Sequence, residues 1–150
     1  MHKLEKKQRL PIDIKTAWEF FSSPKNLSKI TPSYMGFNIT SELKNEKMYP
    51  GLFITYRVRP VLGIPITWVT EITEVSEGNY FIDEQRVGPY KIWHHEHHFR
   101  ECEGGTEMTD LLYYRLPFWF LGKILHSLFV KRKVISIFDY RTEVLEKLFK

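Results

Sequence analysis

The chain has 150 residues, which fits one domain able to bury a sizeable core without metal or disulfide support. Lys and Arg total 22 against 18 Asp and Glu, a formal charge of +4, and the basic residues are scattered, which argues against nucleic-acid binding. The single cysteine, Cys102, excludes an intrachain disulfide, and the charged start Met1-His2-Lys3-Leu4-Glu5-Lys6-Lys7 lacks the apolar stretch of a signal peptide. In chain order, Leu4 to Leu10 reads as a strand ended by Pro11, and Ile14 to Phe21 spaces its apolar residues like a short helix. A second helix is expected after Ser23 as N-cap and Pro24 as first residue, with Leu27 and Ile30 on one face and Thr31-Pro32 as its stop.

Strand signals follow over Phe37 to Ser41, Leu52 to Arg59, Ile66 to Val75, Tyr80 to Arg86, Tyr90 to Glu101 and Thr106 to Leu116. Turns separate them at Pro50-Gly51, Gly63-Ile64-Pro65, Glu77-Gly78-Asn79, Gly88-Pro89 and Gly104-Gly105. From Pro117 to Phe149 the period changes: Leu121, Ile124, Leu125, Leu128, Ile135, Phe138, Leu145 and Phe149 fit one long amphipathic helix. Its Ile124, Leu128, Ile135 and Phe138 stripe is expected to lie on the concave side of the sheet. The run Leu116 to Val130 is broken by Lys123 and His126 and falls short of the ~20 residues of a membrane span, so a soluble cytoplasmic protein without a transmembrane segment is expected. The element order gives an α+β domain: a curved antiparallel sheet of about seven strands wrapped around a long C-terminal helix, with two short helices after the first strand. A helix laid across a strongly curved sheet leaves a gap at one end, and the high aromatic content, 15%, suits a cavity wall as readily as a core.

The segment Trp93-His94-His95-Glu96-His97-His98-Phe99 carries the chemistry. Strand alternation puts Trp93, His95, His97 and Phe99 on one face and His94, Glu96, His98 and Arg100 on the other, which is polar enough for solvent. An inward face bearing two histidines marks a polar spot in an aromatic interior. The same parity turns Phe81, Asp83 and Gln85 inward, with Met108, Asp110, Leu112 and Tyr114 from the last strand. Leu52, Ile54, Tyr56, Val58, Ile66, Trp68, Thr70 and Ile72 follow from the earlier strands. A turn at Gly104-Gly105 pairs Glu103 with Thr106 and sets Asp110 opposite Phe99, diagonal to His97 at about 7 Å; a one-step change in the turn would put them directly opposite.

Three roles fit His95, His97 and Asp110. They can form a buried hydrogen-bond network, since a buried carboxylate is costly unless paired. They can serve as a ligand-recognition or acid/base site, since a carboxylate tunes a histidine near neutral pH. They can bind metal, with Asp110 or Asp83 as third ligand to a His-x-His pair. The spacing alone is a weak metal signal, so no residue is assigned as a metal ligand, no cofactor is expected, and folding is expected to need no metal. The zinc-protease motif is absent, because Phe99 stands where its second histidine belongs, and there is no Gly-x-Ser-x-Gly elbow, phosphate loop or Gly-x-Gly-x-x-Gly.

Taken together, Asp83-Glu84-Gln85, Gly88-Pro89-Tyr90, Trp93 to Phe99, Gly104-Gly105-Thr106, Asp110, Tyr114, Leu116-Pro117, Leu128-Phe129-Val130 and Phe138-Asp139-Tyr140-Arg141 resemble the bacterial cyclase/dehydrase-like ligand-binding proteins. These belong to the START-related, helix-grip (SRPBCC, Bet v 1-like) superfamily of polyketide cyclases, pollen allergens and lipid-transfer domains. The resemblance covers nearly the whole chain and implies a hydrophobic cavity between sheet and long helix. The expected function is binding of a hydrophobic or aromatic small molecule, polyketide-like or lipid-like. Its expected contacts are Tyr56, Trp68, Phe81, Asp83, Gln85, Trp93, Phe99, Met108, Leu112, Tyr114 and Leu128. One alternative is a cyclase or dehydratase that uses His95, His97 and Asp110 as acid/base groups. Another is a regulatory or membrane-contacting protein that uses Phe118-Trp119-Phe120 and Lys131-Arg132-Lys133, the last three of which otherwise form the solvated side of the helix.

Overall fold

The computed structural model describes residues 1–60, 62–117, 124 and 126–150, the side chains of 126 and 127 excepted. Its elements are β1 (His2–Leu10), α1 (Ile14–Phe21), 3-10 turns at Pro24–Ile30 and Ser33–Met35, β2 (Asn38–Ile39), β3 (Phe53–Val58), β4 (Ile66–Ser76), β5 (Tyr80–Val87), β6 (Ile92–Cys102) and β7 (Gly105–Arg115). A π-helical turn at His126–Val130 then leads into α2 (Lys131–Leu148). The strands form one antiparallel sheet of seven in the order β1-β7-β6-β5-β4-β3-β2, so the first strand closes against the last. The register of β4 against β5 shifts at Val69/Thr70 and again between Ile72 and Glu74, and such bulges increase the local twist and bend the sheet.

Local chemistry explains the departures from the expected elements. Asp13 caps α1 by accepting from the Thr16 backbone N–H at 2.8 Å, a cap that sequence reading passed over. Ser23 makes no side-chain cap, and the segment after it, with Pro24 leading, winds as a 3-10 helix. The expected strand Phe37 to Ser41 contracts to Asn38–Ile39, although Thr40 and Ser41 still donate to the Thr55 carbonyl.

The β6–β7 hairpin turns one step earlier than expected. Gly104, with φ +76°, takes the turn, while Gly105 pairs with Cys102 as a strand residue. A side chain at Gly105 would collide with the Leu10 carbonyl oxygen, so this glycine permits the close approach of β1. The register consequently places His97 directly opposite Asp110 and corrects the expected Phe99–Asp110 pairing.

The helix meets the concave face with a different stripe from the expected one. Val134, Phe138 and Leu145 are buried and Ile135 is partly so, but Ile124 and Leu128 are 56% and 54% exposed. A π-helical turn takes more residues per revolution, so the apolar period upstream of Val130 does not continue onto the buried face of α2. Gln8 of β1 donates to the Thr142 carbonyl at 2.9 Å and Lys6 pairs with Asp139, which ties α2 to the sheet edge.

Packing is dense at one end and open at the other. Trp18 and Phe21 of α1 pack with Phe81, Phe99, Met108, Ile54, Ile72 and Leu145, Trp18 meeting Phe99 edge-on at 5.7 Å. Burying such side chains contributes about 1.5–3 kcal/mol each. Leu112, Tyr114, Val134 and Phe138 form a second cluster, and Met35, Val58 and Trp68 a third. Between these clusters the sheet and α2 stand apart.

Candidate functional site

The gap between sheet and helix is a cavity of about 900 Å³. Its wall follows from strand parity: Ile54, Tyr56 and Val58 of β3, Trp68, Thr70 and Ile72 of β4, Phe81 and Asp83 of β5, and Trp93, His95 and His97 of β6. Arg132, Lys133, Ser136, Ile137 and Arg141 of α2 form the opposite side. Leu62, Leu128 and Phe129 also border the cavity and are exposed, so part of its rim is apolar.

Tyr56, Trp68, Tyr90 and Trp93 make a continuous aromatic wall, with Trp68 and Trp93 edge-on at 5.3 Å and Tyr90 and Trp93 at 4.7 Å. The Thr70 hydroxyl ties this wall together. It accepts from Trp68 Nε1 at 3.1 Å and shares a hydrogen bond with the Tyr56 hydroxyl at 3.0 Å. Burial pushes the Tyr56 and Tyr90 phenols up, so both stay protonated.

A charged cluster interrupts the apolar lining. His95 and His97, both 4% exposed, lie side by side on β6 with ring centres 3.8 Å apart. His95 Nε2 hydrogen-bonds Asp110 Oδ1 at 2.9 Å, and His97 Nε2 hydrogen-bonds Asp83 Oδ2 at 2.7 Å. The opposite ring nitrogens face the other carboxylates: His95 Nδ1 is 3.6 Å from Asp83 Oδ2 and His97 Nδ1 is 3.0 Å from Asp110 Oδ1, the latter without hydrogen-bond alignment. Arg141 reaches from α2 and donates to Asp110 Oδ1 at 3.3 Å.

The charges balance through these contacts. Burial opposes ionisation of Asp110, yet Arg141 and then the two histidines hold its carboxyl well below the usual range. Asp83 is likewise opposed by burial and held low, mainly by its hydrogen bond from His97. Burial, and then the charge on His97, lowers His95. Burial also acts against His97, but its contacts with Asp110 and Asp83 outweigh it and raise it. Two carboxylates thus face the Arg141 guanidinium and two imidazoles, of which His97 holds a proton more readily than His95.

Carboxylates held low stabilise the fold above their unfolded value of about 3.8, and that contribution is lost as pH falls through the lowered folded values. Urea unfolding from pH 7 to pH 2 should therefore show stability falling on the acid side. Asp110→Asn should be less stable at neutral pH and have a shallower acid slope; an unchanged slope would show that Asp110 is not held low.

The structure brings together most of the residues singled out in the sequence. Tyr56, Trp68, Phe81, Asp83, Trp93, His95 and His97 line the cavity, and Leu128 stands at its rim. Asp110 lies behind the histidines, while Phe99, Met108, Leu112 and Tyr114 are buried among core residues away from the wall. Gln85 has another occupation: its amide donates to the Tyr90 carbonyl at 2.6 Å and accepts from the Tyr90 N–H at 3.1 Å, clamping the loop that carries Tyr90.

Sequence reading gave no role to Tyr90 or Arg141. The signal for Arg141 was its place three residues after Phe138, a basic residue on the buried face of a helix. On the outer face, His94 contacts Glu84 and Glu96, and His98 contacts Glu96, away from the cavity. Phe118-Trp119-Phe120 lies outside the described residues, as do Leu121 and Leu125. Lys131 and Arg132 are exposed, and Lys133 Nζ sits 4.0 Å above the Tyr34 ring. Among the described residues no helix is long and apolar enough to cross a membrane.

No protein-family model matches the chain, and no curated protein does. Solved structures do. Protein CV1439 from Chromobacterium violaceum is similar with a TM-score of 0.71 at 11% identity, over 98% of this chain and 96% of that one. Protein Ms6760 from Mycobacterium smegmatis gives 0.67 at 17% identity, over 97% and 92%. Ara h 8.0201, a Bet v 1 homologue, gives 0.64 at 15% identity, over 97% and 98%. Identities this low speak to architecture alone, and with the seven-stranded sheet curled around a C-terminal helix they establish that the chain has the helix-grip fold.

Proposed function

We propose that the protein binds a hydrophobic or aromatic small molecule, polyketide-like or lipid-like, between the sheet and α2. The observation that carries this reading is the cavity of about 900 Å³, walled by Tyr56, Trp68, Tyr90 and Trp93 and interrupted on the sheet side by Asp83, His95 and His97. Ligand sites are commonly concave, mostly apolar and of this size, with a few placed polar groups that fix orientation. His95, His97 and Asp83 supply those groups, and Tyr56, Trp68, Phe81, Trp93 and Leu128 supply apolar contact. Gln85, Phe99, Met108, Leu112 and Tyr114 act from behind, holding the wall in place.

Titration with the neutral fluorescent probe N-phenyl-1-naphthylamine tests this. Saturable binding at one probe per chain is expected, and Ser136→Trp should weaken it at least tenfold while leaving the melting temperature nearly unchanged. Ser136 lines the cavity but is exposed, so a tryptophan there obstructs the space without displacing core atoms. Absence of saturable binding, or an affinity indifferent to Ser136→Trp, would reject the reading.

The cyclase or dehydratase reading draws on a specific feature, two imidazoles side by side on the cavity wall with Asp83 beside them and Asp110 behind. Turnover of a poly-β-ketone substrate to a cyclised or dehydrated product would favour it; stoichiometric binding without product favours a carrier or sensor.

A further inference from the structure

Three ligand-type atoms, His95 Nδ1, His97 Nε2 and Asp83 Oδ2, converge on the cavity side of the charged cluster. Asp110 lies behind both rings, hydrogen-bonded to His95 Nε2 at 2.9 Å and 3.0 Å from His97 Nδ1. His95 Nδ1 and His97 Nε2 both face Asp83 Oδ2, at 3.6 Å and 2.7 Å, and the His97 contact is a hydrogen bond. Metal-binding histidines commonly donate from the far nitrogen to a carboxylate, and His95 Nε2 is placed to do so toward Asp110. Asp83, His95 and His97 border the cavity, whereas Asp110 does not.

We infer that Asp83, His95 and His97 form a three-ligand site for one divalent first-row transition ion, with Asp110 and Arg141 as its supporting shell and the cavity as its open coordination side. Ligand atoms of these three residues all lie within 4.8 Å of one another. Donors about 2.1 Å from a shared ion stand roughly 3.0–3.5 Å apart, so small side-chain adjustments admit the ion. Two imidazoles and one carboxylate suit zinc, cobalt or iron, and three protein ligands with an open position are the pattern of reactive rather than structural sites. Charge agrees, because two carboxylates against the single guanidinium of Arg141 leave a net negative site when both histidines are neutral. The ion takes the place of the proton that His97 shares with Asp83. The site revises the sequence expectation, which assigned no metal ligand, and stands independently of which organic molecule occupies the cavity.

The test uses the metal-free full chain and the metal alone. Co²⁺ titration should show one equivalent bound, with visible d–d absorption that one equivalent of Zn²⁺ abolishes. Asp83→Asn and His97→Gln should each lower Co²⁺ affinity by about tenfold or more, and Asp110→Asn by roughly 10–100-fold. The surface double variant His94→Gln/His98→Gln should bind as the parent does. Circular dichroism checks that each variant is folded. If the buried variants unfold, NMR on the parent chain decides: of its six histidines, only the rings of His95 and His97 should show large Co²⁺-induced paramagnetic shifts. No stoichiometric uptake, or shifts centred on other histidines, would overturn the site. Failure here with intact naphthylamine binding removes the metal and leaves the cavity reading standing.

Discussion

Arg141→Met is expected to destabilise the protein by about 3–5 kcal/mol, because it strands the buried Asp110 carboxylate. Arg141 and Asp110 side chains are 13% and 8% exposed, so little solvent can replace the lost partner. The guanidinium also lies 5.0 Å over the Phe138 ring, and methionine keeps most of that packing, which leaves charge as the principal change. Urea unfolding at pH 7 measures the loss. Adding Asp110→Asn removes the stranded charge, so the double variant should be more stable than the sum of the two single losses implies, by at least about 1 kcal/mol. Strict additivity would mean that Arg141 and Asp110 do not interact in solution.

Phe138→Ala is expected to cost about 3–5 kcal/mol, the usual result of emptying a buried aromatic position. Phe138 is 3% exposed, packs with Leu112, Tyr114 and Val134, and meets the His95 ring at 5.4 Å. The informative control is Leu128→Ala. The sequence stripe puts Leu128 in the core, whereas the structure leaves it 54% exposed, so its loss should be within about 0.5 kcal/mol. Comparable losses at the two positions would restore the stripe expected from sequence and contradict the phase set by the π-helical turn.

Much of the site was legible in the alternation of Trp93 to Phe99. Because side-chain direction repeats every two residues in a strand, inward parity found His95, His97, Asp83, Tyr56 and Trp68 without knowledge of the fold. The same parity did not separate wall from core, and it grouped Phe99, Met108 and Leu112 with the cavity residues. That distinction depends on what lies across the sheet. Trp18 and Phe21 cover Phe99, and Phe138 and Val134 cover Leu112.

The sequence by itself determined the element order, the faces of the long strands, and the presence of two histidines and two carboxylates on the inward side, because these follow from local periodicity and composition. Only the tertiary structure decided which carboxylate serves which ring, since that rests on a one-step difference in the Gly104 turn and on the register it propagates to Asp110. It alone brought Arg141 from the helix to Asp110, across a separation of 31 residues, and set the phase of α2 through a non-α turn that the apolar period does not encode. Local side-chain preferences act over a few residues, whereas hairpin register, helix phase and charge pairing across a cavity are fixed only when distant elements meet.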